Sequence, residues 1–234
     1  MMNVVISGAS KGIGKAIAES FAAEGANLFL CARNEFTLYN AVASIQLKFP
    51  ASTVNARVAD LSKPAEVKKF GDWVLSKVDT IDVLVNNAGS FIPGSIFNEE
   101  PGMLEQMIDT NLYSAYHLTR SLLPLMIQHK KGHIFNMCSI ASLQAYPNGG
   151  SYSISKYALM GFSKNLREEL KPFNVKVTAV YPGAVLTDSW KDFDNTQKRI
   201  MEADDIALTV LAATKLSLQA VIEDIIIRPQ LGDL

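Results

Sequence analysis

The sequence predicts an α/β protein built on one doubly wound parallel sheet of about seven strands, with helices on both faces. Three observations predict it. Short apolar runs alternate with segments of helical periodicity from end to end. The runs are continuous rather than alternating, as in strands buried on both faces. A helix-length segment separates consecutive runs, so the strands are joined by right-handed crossovers and lie parallel.

The elements follow in order. Val4–Ile6 is a strand that stops at Ser7-Gly8, and residues 12–24 form a helix with Ile13, Ile17 and Phe21 on one face and Gly25 as its stop. Leu28–Cys31 is the second strand, and the helix after it, residues 34–48, ends before Pro50. Thr53–Ala59 is a third strand, Pro64 opens a helix to about Lys77, and Asp82–Val85 is a fourth strand. A long helix is expected from Met103 to Gln128, with Pro124 bending it or ending it early. Then come a strand at His133–Met137, a helix at Ser151–Leu170, a strand at Val175–Val180, a helix near Asp204–Ala213 and a terminal strand at Val221–Ile227. Nothing divides residues 1–234, so a single domain is expected. Two longer irregular stretches, 89–102 and 183–203, both follow strands. They therefore sit at the carboxyl edge, where such sheets bind ligands.

Composition narrows the function classes. The chain has 234 residues, 48% hydrophobic and 19% charged, which describes a globular domain and not a disordered one. A net charge of −1, from 22 basic and 23 acidic residues, argues against nucleic acid or an anionic membrane as the main partner. No secretory pattern opens the sequence, no apolar run reaches the length of a membrane span, and Cys31 and Cys138 lie inside strand-like runs. The expectation is a cytoplasmic protein. His117, His129 and His133 are scattered, and no metal site is expected.

The turn Gly8-Ala9-Ser10-Lys11-Gly12-Ile13-Gly14 lies between the first strand and the first helix. Glycines there permit positive φ and close approach of phosphate, and the helix start offers free N–H groups and a positive dipole end. With Ser7, the spacing Ser-Gly-x-x-x-Gly-x-Gly resembles the cofactor turn of short-chain dehydrogenases/reductases, a Rossmann-fold family in which threonine is commoner at the Ser7 position. In an NAD site an acid at the end of the second strand holds the adenosine ribose. Here that strand ends Cys31-Ala32-Arg33-Asn34, and Lys11 lies in the turn. Two cations and no acid suit the 2′-phosphate of NADP. The resemblance also implies cofactor contacts for Asp60 and Leu61 after the third strand, and for Asn87, Ala88 and Gly89 after the fourth. It implies the same for Pro182, Gly183, Val185 and Thr187 after the sixth, where the Val185 backbone and the Thr187 side chain would hold the nicotinamide carboxamide.

Tyr152-Ser153-Ile154-Ser155-Lys156 places a phenol and an ammonium on one helix face. Ser139 ends the fifth strand thirteen residues earlier, and Asn111 lies in the long helix after the fourth strand. Together these match the family's catalytic set, and the resemblance covers essentially the whole chain. Hydride arriving on a carbonyl carbon leaves charge on oxygen that must be protonated. Tyr152 would give that proton, its phenol lowered from a pKa of about 10 by Lys156 and the oxidised nicotinamide. Lys156 would also hold the nicotinamide ribose. Ser139 would bind the substrate oxygen, and Asn111 a water leading from Lys156 to solvent. Phe91, Ile92, Leu143, Tyr146, Trp190 and Phe193 are candidates for the pocket wall or for loop anchors.

The expected activity is NADPH-dependent reduction of a carbonyl, with a 3-oxoacyl thioester or a pterin side-chain ketone as candidate substrates. The alternative is a non-catalytic NADP-binding redox sensor. The family resemblance also implies a homodimer or homotetramer formed through the helices that begin near residues 103 and 151.

Overall fold

A computed structural model of the chain describes residues 1–187, 190 and 193–233. Of the expected substrate loop 183–203, Asp188, Ser189, Lys191 and Asp192 lie outside the described residues, as does Leu234. Seven strands form one sheet: β1 Asn3–Ser7, β2 Asn27–Ala32, β3 Thr53–Val58, β4 Val83–Asn86, β5 His133–Met137, β6 Lys176–Pro182 and β7 Asp224–Ile227. The order is β3-β2-β1-β4-β5-β6-β7, and every pairing is parallel. The order reverses between β1 and β4, so a crevice opens beyond their carboxyl ends.

The helices are α1 Gly12–Ala23, α2 Glu35–Lys48, α3 Pro64–Leu75, α4 Met103–Ile108, α5 Ser114–His129, α6 Gly150–Leu170 and α7 Ala203–Thr214. The period of two along the strands sorts the core into two layers. Val4, Ile6, Leu28, Leu30 and Val85 face Ile17 and Phe21 of α1, Leu38 and Ile45 of α2 and Ile206 and Val210 of α7. Val5, Phe29, Leu84 and Ile134 face Val67 and Phe70 of α3, Leu118 and Leu122 of α5 and Leu166 of α6. Both faces are dry, which is why the strands are continuous apolar runs.

Three expectations need correction. The stretch 103–128 is not one α-helix: α4 and α5 are joined by a π turn, Asp109–Tyr113. Pro124 does not end α5, which continues to His129. Pro124 is exposed while Leu122 and Met126 are buried against the sheet, so the carbonyl it leaves without a donor lies on the solvent side. The last strand is shorter than expected, because only Asp224–Ile227 pairs with β6. Among the described residues no helix is long and apolar enough to cross a membrane.

Candidate active site

The crevice is closed at its base by one hydroxyl. Ser7 ends β1, and its Oγ donates to the Val85 carbonyl at 3.3 Å and accepts from the N–H groups of Asn87 and Ala88, both at 2.9 Å. Asn87 Nδ2 returns two bonds to the carbonyls of Ser7 and Gly8, at 3.1 and 3.0 Å. The two central strand ends are thereby held together, and Gly8, at φ 66°, turns the chain away beneath them. Gly14 is there for packing, since a Cβ on it would overlap the Gly8 carbonyl and the Asn87 amide. It is the one glycine of the turn that does not line the groove.

Beyond this base runs a groove of about 420 Å³ lined by Gly8, Ser10, Lys11, Gly12, Ile13, Ala32, Arg33, Asp60, Leu61, Ala88 and Gly89. The start of α1 faces it with no side-chain cap and no acidic residue in its first turn, so its first N–H groups suit an anion. Arg33 and Lys11 stand exposed along the groove. Burial alone would raise the Asp60 carboxyl. The Ser62 hydroxyl, at 2.8 Å, and the Ser62 N–H, with the charges of Arg33 and Lys63 nearby, hold it below its usual value. Asn34, Thr37, Ser62, Thr110 and Ser114 also line the groove. These small polar side chains carry no motif, and sequence reasoning missed them.

The groove continues into a second cavity of about 430 Å³ and shares Ile13, Asn87, Gly89 and Thr187 with it. Ser139, Tyr152 and Lys156 line this cavity together, with Pro182, Gly183, Val185 and Thr187 opposite. Ser139 is positioned by a one-turn 3₁₀ helix, Ile140–Ser142, in which its Oγ caps the Ala141 N–H at 3.2 Å. It shares the cavity wall with Tyr152. A parallel bridge between Val185 and Met201, made by the Ala184 carbonyl and the Leu186 N–H, fixes the strand-like start of the 183–203 stretch.

The electrostatics differ from the expectation in one respect. Lys156, only 6% exposed, does not bond the phenol. Its Nζ donates to the Met137 carbonyl at 2.7 Å and lies 5.8 Å from the centre of the Tyr152 ring. Burial pushes this ammonium down to about 8. Burial pushes the phenol up to about 12, against the pull of the Ser139 hydroxyl. The protein alone thus favours a protonated Tyr152, and the expected lowering by Lys156 is not seen.

Asn111 sits on the π turn, which points it inward at 1% exposure. It lines neither cavity. Its Nδ2 donates to the Ser90 carbonyl at 3.0 Å and to Ser155 Oγ at 2.9 Å, and its Oδ1 accepts from the Ser90 N–H at 2.8 Å. Ser155 Oγ donates onward to the Tyr152 carbonyl at 2.7 Å. The carboxamide is therefore held by protein partners and ties the loop after β4 to α6.

Phe91, Tyr146 and Trp190 line the second cavity, whereas Ile92, Leu143 and Phe193 do not. Phe193 instead packs edge-on against Trp190 at 5.5 Å. The C-terminal tail supplies a residue that sequence reasoning missed. Arg199 binds the carbonyls of Gly232 at 2.9 Å and Asp233 at 3.1 Å, and this brings Asp233 into the cavity wall. Its Oδ2 is 3.1 Å from Arg228, while its buried Oδ1 has no partner among the described residues.

Comparison with known proteins places this arrangement. The profile of the short chain dehydrogenase family matches residues 2–198. The sepiapterin reductase of Chlorobaculum tepidum is 33% identical over 239 residues, covering 99% of this chain and 97% of that protein. An alcohol dehydrogenase from Thermococcus sibiricus, solved with 5-hydroxy-NADP, superposes with a TM-score of 0.91 at 26% identity, covering 100% of this chain and 99% of that one. A metagenomic short-chain oxidoreductase solved with NADP gives a TM-score of 0.86 at 32% identity, covering 99% and 98%. The chain belongs to the short-chain dehydrogenase/reductase family of oxidoreductases.

Proposed function

We propose that the protein reduces the carbonyl of a small molecule to an alcohol, with Tyr152 as the proton donor. The observation that carries this reading is the convergence of Ser139, Tyr152 and Lys156 on a cavity continuous with the groove at the start of α1. The cofactor is NADP(H): the uncapped helix start suits the pyrophosphate, and Arg33 with Lys11 suits the 2′-phosphate. When bound, NADPH supplies the hydride that adds to the carbonyl carbon. Ser139 donates a hydrogen bond to the carbonyl oxygen as charge develops there. Tyr152, held protonated by burial, gives its proton to that oxygen and is left as phenolate. Lys156, its Nζ 5.8 Å from the centre of the Tyr152 ring, is assigned to the nicotinamide ribose hydroxyls. The Val185 backbone amide, which the Met201 bridge does not use, and the Thr187 side chain are assigned to the nicotinamide carboxamide. Asp60, Leu61, Asn87, Ala88, Gly89 and Pro182 complete the cofactor wall. The whole chain acts as one reductase domain, with the 183–203 stretch beside the substrate.

The substrate we favour carries hydrogen-bond donors distant from its carbonyl, as a pterin side-chain ketone does. Asp233 supports this choice, because it sets a carboxylate residue in the cavity wall, an acceptor type suited to such donors. The sepiapterin reductase relative points the same way. A 3-oxoacyl thioester has fewer donors to offer there. A redox sensor without catalysis would not account for the convergence of Ser139, Tyr152 and Lys156. Exposed Tyr113, Ile154 and Tyr157 support a homodimer or homotetramer through the α4, α5 and α6 surfaces, and two buried free thiols suit a cytoplasmic setting.

The deciding experiment follows NADPH oxidation by the purified protein with sepiapterin, oxoacyl thioesters, diketones, quinones and sugars. Turnover of sepiapterin above the thioesters is expected. NADPH that binds and is consumed with none of them would overturn the reductase reading.

A further inference from the structure

We infer that Glu99 is a positioning residue for the catalytic helix, capping the start of α6 from outside and holding Tyr152 in place against Ser139. The inference rests on the reduction reading above. Helix α6 begins at Gly150, two residues before Tyr152, and its own N-cap, Gly149, brings no side-chain hydrogen bond. The first turn also holds no acidic residue. Its leading N–H groups and positive dipole end therefore need a partner from elsewhere. Glu99 provides it across 52 residues of chain. One carboxylate oxygen accepts from the Ser151 N–H at 2.9 Å, and the other accepts from the Ser151 hydroxyl.

The surrounding backbone is shaped to admit this carboxylate. A Cβ on Gly94 would meet it at 2.8 Å, and a Cβ on Gly150 would overlap it. Gly150 also takes φ 38°, so a larger residue there would be strained as well as crowded. Glu99 is itself anchored. Its N–H bonds the Ser95 carbonyl at 3.0 Å, Ser95 Oγ donates to Asn148 Oδ1 at 2.7 Å, and the Gly94 N–H donates to the Asn148 carbonyl at 3.1 Å. The turn 94–99 is thus fastened to residues 148–151 at several points.

A plain loop anchor could sit anywhere along the helix, but this one lands on the residue preceding Tyr152. The same segment carries Phe91, whose ring meets the Tyr152 ring edge-on at 4.8 Å. It also carries Ser90, which is bonded by Asn111. Glu99 does not line the catalytic cavity, so it acts through Ser151 and the helix start. Displacing reacting groups by about 1 Å costs roughly a hundredfold in rate, and a loosened first turn moves Tyr152 on that scale.

The test compares Glu99→Ala, Glu99→Gln, Ser151→Ala and Tyr152→Phe in the full chain, using the best carbonyl substrate from the panel. The readouts are kcat, KM and the NADPH dissociation constant from fluorescence titration. Glu99→Ala should lower kcat about tenfold to a hundredfold while NADPH affinity stays within about twofold. Glu99→Gln, which keeps an acceptor for Ser151, should recover kcat to within about threefold of the parent. Ser151→Ala should lower kcat about threefold to tenfold, and should add little once Glu99 is already alanine. Parental kcat in Glu99→Ala, or a raised KM with kcat intact, overturns the inference. If Glu99→Ala does not fold, parental kcat in Ser151→Ala overturns it. Turnover that survives Tyr152→Phe sinks the reduction reading and this inference with it. Loss in Tyr152→Phe beside full activity in Glu99→Ala sinks this inference alone.

Discussion

Replacing Lys156 by methionine should change how stability depends on pH, in a direction and amount that follow from its burial. The ammonium sits at about 8 in the folded chain against an ordinary 10.5, because burial disfavours its charged form. That drop corresponds to a cost of about 3 kcal/mol for carrying the charge in the fold. Because the folded value is the lower one, the unfolded chain binds the extra proton between those two pH values. The cost is present in full below about pH 8 and disappears as pH rises through 10.5, so the parent gains stability over that interval. Methionine fills the volume and carries no charge, so Lys156→Met lacks this gain. At neutral pH the variant is relieved of the cost but leaves the Met137 carbonyl without its donor, which returns about 1–3 kcal/mol. The absolute difference at pH 7 is therefore small, and its change with pH is the informative quantity. Urea unfolding at pH 7 and at about pH 9.5 should show the parent gaining about 2 kcal/mol on the variant. Cys138, pushed up to about 11, and Tyr152, pushed up to about 12, remain protonated in the folded chain across that window. Their unfolded-state titration is common to both proteins and cancels. A stability difference that does not move with pH would refute the assignment of Lys156 as a charge held at a burial cost.

Three further outcomes are expected. Arg33→Ala should weaken NADPH about tenfold or more by equilibrium titration and leave NADH nearly unchanged, and adding Lys11→Ala should narrow the gap further; equal affinities in the parent would remove the charge argument. Tyr152→Phe should lower kcat by at least about a hundredfold with the NADPH dissociation constant intact, and normal turnover would exclude the phenol as proton donor. Gly14→Ala should destabilise the protein by about 2–3 kcal/mol in chemical denaturation, because its methyl group would overlap the Gly8 carbonyl and the Asn87 amide; an unaffected midpoint would show that the turn has room to spare.

The sheet was legible because its strands are buried on both faces, and the apolar runs at Val4–Ile6, Leu28–Cys31 and Val83–Val85 mark themselves. The candidate site was legible where a motif combines a spacing with a chain position, and Tyr152, Lys156 and Ser139 meet at one cavity. What escaped depends on counting through space. The π turn at Asp109–Tyr113 has no composition of its own, and it is stabilised by what Asn111 reaches, Ser90 and Ser155. Glu99 looks like a surface acid until Gly94 and Gly150 are seen around it. Asp233 enters the cavity only because Arg199 holds the tail, a contact across more than thirty residues. Pro124 shows the opposite error, since a strong local signal was outweighed by the burial of Leu122 and Met126 on either side.

The π turn between α4 and α5 also sets a phase. Each residue in an α-helix advances the side chains by about 100°. A turn that accommodates one residue beyond the α-helical count therefore lets α4 and α5 present different faces while remaining a single rod. Alignment between the loop side and the sheet side of that rod is stored as a number of residues, independent of which residues they are. Point substitutions near Asn111 leave that number intact. Deleting one residue from 109–113 would swing everything between Met103 and Ile108 by about a quarter turn relative to the sheet. Apart from Asn111, the segment should accordingly accept changes of side chain far more readily than changes of length.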